Sequence, residues 1–563
     1  MKPPNAFLSD MAGIFHGRRR GGFLALVVVT LAGASVAARA AAELSPAAQL
    51  RQKARLPMLH FTLGFHVSTR HGILLIQSRP ELQSEIAALE AQLRGSDADA
   101  PLLGRLARLH EQNDSPAKAA EAARKAAALW RKRLEQQPEN AEALRQLGNC
   151  LTMIQETAEA EVMLRRAVKA GATDWQAWAD LGHFLSGRAF VELVRHLPEK
   201  EQTSVLWDMA TKLRQNRPSA VQMAQLEVWL KEAESCLDKA VAAAPTLAEP
   251  YLRRSEVKSM NEVTRFHIAS LEAEKFDVLA FGRVLAAPGA REDLRRATEL
   301  DPKNFRAVTM AALAEFFSLG LKQGSNSLET LLAGSFFPNL AEAEKEVIRA
   351  QMRRLAALGE EANPTRAAAA LEILGSLQLL IRDYAGAEKS LRRAIQLHPA
   401  LETGWDALMS LLVDRGHWPE LVALAEARLK AKQTARNAVA LAKALDRNGQ
   451  AEAAVEAARQ AVALDPKSFL AQHALAAALT KAAKDGQAQR QARLPLSAAA
   501  ELITDQLPIE DRVHFGLTCA IHNALVGDFQ EALGAVEAIL KAQKDNQEAR
   551  EIELLIRKLE RLR

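Results

Sequence analysis

The 563-residue chain is too long for a single hydrophobic core, so it must fold as several domains or as a repeat array. Only 5% of it is aromatic, Gly and Pro number 28 and 21, and helix-forming Ala, Leu, Glu, Arg and Gln dominate, which excludes a β-rich fold. Its formal charge of +5 falls to +1 once the first 40 residues are set aside, so the balanced body excludes nucleic acid or an anionic membrane surface as the expected partner.

The N-terminus reads as an address. Arg18, Arg19 and Arg20 precede an apolar run from Phe23 to about Ala34, and small residues follow to Ala38-Arg39-Ala40. This is the layout of a secretory signal over residues 1–40 with cleavage after Ala40, which predicts a periplasmic or secreted body. The alternative is an uncleaved anchor, because Gly21–Ala38 carries no charge and is marginally long enough to span a bilayer. No Cys follows the apolar run, so a lipoprotein signal is excluded.

Residues 41–100 form an N-terminal extension. Met58 to Val67 alternates like a strand, whereas 79–95 and 101–132 carry helical periodicity. His60, His66 and His71 are spaced by six and five, which does not put them on one helical face, so scattered polar positions are favoured over a metal site.

From residue 141 a pattern repeats. Leu144, Leu147-Gly148, Leu151, Ala160, Leu164 and Ala167 recur as Trp178, Leu181-Gly182, then as Leu371, Leu374-Gly375, Ala387, Leu391, Ala394 and Pro399. They recur again as Trp405, Leu408, Leu412 and Gly416, and as Ala438, Leu441, Leu445, Gly449, Ala454, Ala461 and Pro466. Such a period of about 34 residues makes helix hairpins that each bury one stripe per helix. Gly stands where two backbones approach closely, as at Gly375 facing Ala387. Pro302, Pro399 and Pro466 close second helices.

This pattern resembles the tetratricopeptide repeat family. The resemblance implies an all-α fold, an α-α superhelix of about eight hairpins with helical insertions. The expected layout is an N-terminal array over 101–315, an inserted helical segment over 316–365, a C-terminal array over 366–545 and a capping helix over 546–563. Insertions are expected after Leu185, after Tyr251, from Phe316 to Pro338 and from Lys481 to Pro508. They would either line a binding face or thicken one edge. Phe316-Phe317 and Phe336-Phe337 flank one insertion and are read as core packing. Ile552, Leu554, Leu555, Ile556, Leu559 and Leu562 give the last helix an apolar stripe.

Cys150, Cys236 and Cys519 are far apart in apolar helical contexts, which fits neither a disulfide framework nor a zinc ribbon. GxSxG, GxxxxGK[ST], HExxH and GxGxxG are all absent from the sequence, so neither catalysis nor a cofactor is expected. The family resemblance instead implies that the first helix of each pair lines a concave groove gripping a protein or peptide. Its lining would include Arg145, Asn149, His183, Ser376, Asp406, Ser410, Arg436 and Lys443. Chaperone-binding relatives keep a cation and an Asn at the positions of Arg145 and Asn149 to clamp a C-terminal carboxylate. This chain departs from that clamp with Asp180 in place of Asn and Glu249 in place of Lys. The expected role is an extracytoplasmic scaffold or adaptor, the alternative being a non-catalytic subunit of an envelope enzyme or export complex.

Overall fold

The computed structural model describes residues 45–56, 66–68, 75–77, 79–94, 99–113, 115–195, 217–271, 287–322, 337–504 and 507–562. The leader, His60, His71 and Phe336 lie outside the described residues. The chain divides into two compact units, Thr62–Gly404 and Met1–Phe61 together with Trp405–Arg563.

The Thr62–Gly404 unit begins with a two-stranded antiparallel ribbon, β1 (His66–Ser68) and β2 (Leu75–Gln77), in which Val67 pairs with Ile76. Helix α2 (Arg79–Leu93) follows. Five helix pairs then run α3 (Ala100–Gln112) with α4 (Pro116–Gln136), α5 (Ala141–Met153) with α6 (Thr157–Ala170), and α7 (Trp175–Val194) with α8 (Ala220–Ala243). Next come α9 (Ala248–Ser270) with α10 (Pro288–Leu300) and α11 (Phe305–Lys322) with α12 (Glu342–Leu358). A sixth pair joins α13 (Pro364–Leu380) and α14 (Tyr384–Leu397). Side-chain caps from Asp99, Asn140, Asp174, Asn363 and Asp383 satisfy first-turn amides that would otherwise be orphaned. The core passes from pair to pair, and one apolar cluster extends from Leu82 through Trp130, Leu147 and Leu164 to Val257.

The expectation of Gly at the closest helix approach holds. A Cβ on Gly375 would lie 2.6 Å from Leu391 Cγ and 3.4 Å from the Ala387 carbonyl oxygen. Gly148 stands in the same relation to Leu164 and Ala160. These two glycines, on the first helices of separate pairs, therefore serve the same packing need.

The expected insertions are partly helix extensions. Helices α7 and α9 run to 20 and 23 residues and α8 to 24, against 13 or 14 in the regular repeats. Their extra turns share a second apolar layer of Ala189, Phe190, Leu193, Leu226, Leu230, Met260 and Val263. In the stretch expected as an inserted segment over 316–365, the described residues take part in a further helix pair. Phe316 lies inside α11, and α12 is the second helix of that pair. Phe316 is buried, while Phe317 and Phe337 pack against the same cluster. Repeat motifs mark only the shortest stripe a hairpin needs, so longer helices look like interruptions.

In the other unit α15 (Glu402–Arg415) is followed by α16 (Trp418–Ala431), then α17 (Ala435–Arg447) pairs with α18 (Ala451–Leu464). Helix α19 (Phe469–Ala482) is backed by two short helices, α20 (Gly486–Arg490) and α21 (Arg493–Glu501), where the fourth insertion was expected. Helix α22 (Ile509–Val526) pairs with α23 (Phe529–Ala542), and α24 (Gln547–Glu560) ends the array. Eight helix pairs are thus found among the described residues, in line with the expected count of about eight, and 100–136 is one of them and not a lead-in. Ile552, Ile556 and Leu559 of α24 are buried, but Leu554 and Leu562 face outward.

The remaining helix, α1 (Pro46–Lys53), belongs to this unit although it lies far upstream in sequence. It packs on α19, α22 and α24. Each unit is therefore an α-α solenoid, to which an N-terminal segment is added.

Candidate protein-binding face

First helices of successive pairs carry a polar ladder in the Thr62–Gly404 unit. On α5, Arg145 Nη1 and Asn149 Nδ2 both donate to Asp180 Oδ2 on α7, at 3.0 and 2.7 Å. On α9, Arg253 donates to the other oxygen of Asp180. Burial alone would raise the Asp180 carboxyl, but Arg253, Arg145 and Arg108 outweigh it and hold the group at about 2. The carboxylate is only 5% exposed, so its charge is compensated inside the protein.

One turn further along α7, His183 Nδ1 lies 3.1 Å from the Ala179 carbonyl oxygen and Nε2 lies 3.4 Å from Glu256 Oε2 on α9. Burial, reinforced by Arg253, pushes the His183 pKa down despite Glu256. Glu256 also accepts from Arg306 on α11. Burial would raise its carboxyl, yet Arg306 and His183 bring it below the usual value. The residues at the carboxylate-clamp positions therefore hold carboxylates of this chain.

Ser376 is buried on α13, one turn from buried Glu372, which accepts from the Thr403 hydroxyl. Helix α2 packs on α13 and β2 on α11, so the upstream segment covers first helices here too.

In the second unit Asp406 on α15 is shared by two arginines. Arg428 on α16 approaches Oδ1 at 2.6 Å, and Arg436 on α17 approaches Oδ2 at 2.8 Å. Ser410, one turn along α15, and Lys443, on α17, are both part-buried. Burial, then the positive charges of Arg447 and Arg55, lowers the Lys443 ammonium to about 8. Arg55 comes from the segment just after α1 and pairs with Glu548 at 3.1 Å, while Lys53 pairs with Glu551. The eight residues thus fall into two sets, one in each unit, and most are engaged by neighbouring first helices.

Sequence reasoning missed Arg253, Glu256 and Arg306 as ladder members and Glu548 and Glu551 as the partners of the upstream segment. A signal existed for the ladder: Arg145 and Asp180 are 35 residues apart, close to one repeat, with opposite charge on adjacent first helices. No comparable spacing marks Lys53 and Glu551, which are 498 residues apart.

The three cysteines are buried thiols, as expected of small apolar residues. Burial pushes Cys150 and Cys236 up to about 11 and Cys519 to about 12, so none is a ready nucleophile. No group of metal-ligating side chains occurs among the described residues, and none of their helices is long and apolar enough to cross a membrane.

Helix pairs stacked in this way define an α-α repeat array, a scaffold suited to protein interactions. Residues 435–468, spanning α17, α18 and the turn into α19, match the family model of the tetratricopeptide repeat, so the chain carries a tetratricopeptide repeat there. Among solved structures the chain is similar to yeast Tom70, with 14% identity, a TM-score of 0.31, and coverage of 86% of this chain and 93% of that one. It is also similar to the APC/C hetero-tetramer Cut9-Hcn1, at 11% identity and TM-score 0.30, covering 84% and 92% of the two chains. A third is Naa15/Naa10 bound to HypK-THB, at 13% identity and TM-score 0.26, covering 82% and 92%. None of the curated proteins matches the chain.

Proposed function

We propose that this protein is a non-catalytic scaffold or adaptor that works outside the cytoplasm and binds protein partners on the face built by its first helices. One observation carries the reading: that face holds a helix, α1, with apolar contacts below and ion pairs at the rim. A surface that seats one amphipathic helix has the shape and chemistry to seat another. The basic cluster and apolar run of residues 18–34 support export, either as a cleaved leader or as an anchor.

A photocrosslinking amino acid placed at Ser410, on a first helix, tests the binding reading in intact cells. A partner adduct is expected there and not from Glu456, an exposed position on the second helix α18. Equal adducts from both sites, or none from either, overturn it. Fractionation tests location: the chain belongs in the periplasmic, secreted or membrane fraction, and recovery from the cytoplasm alone defeats that part of the proposal.

A further inference from the structure

Helix α1 and the residues after it sit on the second unit as a ligand would. Ser45 caps the helix by accepting from the Ala48 amide, and Pro46 occupies its first turn. Leu50 and Ala54 are fully buried among Leu517, Ile521, Ile552 and Ile556. Leu56 enters a neighbouring cluster with Val439 and Ala442 of α17. Around these anchors the charges are complementary: Lys53 meets Glu551 and Arg55 meets Glu548. All the helices beneath it, α17, α19 and α22 together with the terminal α24, are first helices or stand in line with them.

The segment is also poorly able to hold itself together. Eight residues are too few for a helix to persist alone in water, so its helicity comes from the surface beneath it. Leu50, Ala54 and Leu56 anchor it, with Pro46 and Ala47 alongside, and as part of the same chain it competes from an effective concentration of about millimolar order. An external helix with the same anchors therefore displaces it only at about millimolar concentration, and one present at micromolar concentration must bind about 1,000-fold more tightly.

We infer that residues 45–56 are a built-in occupant of the binding face of the second unit, and that the face recognises a basic amphipathic helix of a protein partner, which displaces this segment. The partner helix carries an apolar residue, a small residue four positions on and a Leu two beyond that, with Lys or Arg at the intervening positions that reach Glu551 and Glu548. This rests on the scaffold reading and adds the chemistry of the partner and the contact that regulates access.

The test uses the full chain and a fluorescein-labelled peptide of residues 44–57 read by anisotropy. The Leu50→Asp, Leu56→Asp variant, with its own segment released, is expected to bind the peptide at least ~10-fold tighter than the unaltered chain. Adding Glu548→Arg and Glu551→Arg is expected to remove ~10-fold or more of that affinity, because like charges then face each other. Equal binding by released and unaltered chains, with helical circular dichroism preserved, overturns the inference, as does indifference to the Glu reversals. The unaltered chain supplies a readout that no substitution can spoil: unlabelled peptide at millimolar concentration must accelerate amide exchange within 46–56, and unchanged exchange defeats the proposal. A dimer of the released chain in light scattering also defeats it, since the occupant would then be a second copy. Partner adducts from Ser410 that are equally strong with the segment released or seated refute displacement while leaving the scaffold reading intact. Peptide binding without any Ser410 adduct does the reverse.

Discussion

Asp180 gathers Arg145, Asn149 and Arg253 onto one buried carboxylate, so its removal leaves cations without their counter-charge. Breaking a buried pair from one side typically costs about 3–5 kcal/mol. Asp180→Ala is therefore expected to lower the urea midpoint strongly, and an unchanged midpoint would show that the ladder contributes nothing. The pH dependence has a defined sign. The folded carboxyl sits at about 2 and the ordinary value is 3.8, so its contribution is present above about pH 4 and is lost as pH falls through about 2. That contribution amounts to about 2 kcal/mol, and Asp180→Asn should flatten the acid limb of the stability profile. Lys443 has the opposite character. Its folded value of about 8 lies below the ordinary 10.5, so the unfolded chain holds the proton more tightly and stability rises between about pH 8 and 10.5. Lys443→Met is expected to remove that rise and to raise the urea midpoint at pH 7.

Within a helix pair the limiting quantity is space. Gly375→Ala would ordinarily stabilise a helix by up to about 1 kcal/mol through backbone entropy. Here the new methyl meets Leu391 and the Ala387 carbonyl, and overpacking of that kind costs about 1–3 kcal/mol. Net destabilisation is expected in chemical unfolding, and a stabilised variant would show that α14 can yield. The final helix offers a sharper contrast. Ile556 is fully buried and Leu554 is 69% exposed, although both belong to the apolar set read from sequence. Ile556→Ala should cost about 2–5 kcal/mol, whereas Leu554→Ser should change stability by less than about 0.5 kcal/mol. Hydrophobicity alone could not separate them. The helical phase of α24 against α22 and α1 does.

At the scale of the molecule, the upstream residues are distributed between the two units: 46–56 packs within the second, while β2 and α2 pack on α11 and α13 of the first. Release of α1 should therefore be felt within its own unit. Hydrogen exchange on the Leu50→Asp, Leu56→Asp variant is expected to rise in α22 and α24 and to stay level in α5 to α8. Faster exchange in α5 to α8 would show that the units do not open separately.

The repeating hairpins were legible because local physics writes them into the chain: a stripe of Leu and Ala every turn, Gly at the close approach, and Pro at the exit recur with one period. The long helices α7 to α9 were less legible, because motif positions mark a minimum seam and not how far each helix continues past it. Candidate residues such as Arg145 and Asn149 could be picked from their place in the repeat, but not what they touch. Whether a donor on a first helix faces solvent or Asp180 depends on the neighbouring pair, one repeat away. Least visible was α1, whose Lys53 and Glu551 meet across nearly the whole sequence. Periodic burial is a local property of sequence. Which segment covers a finished face is decided only when distant parts of the chain have been brought together.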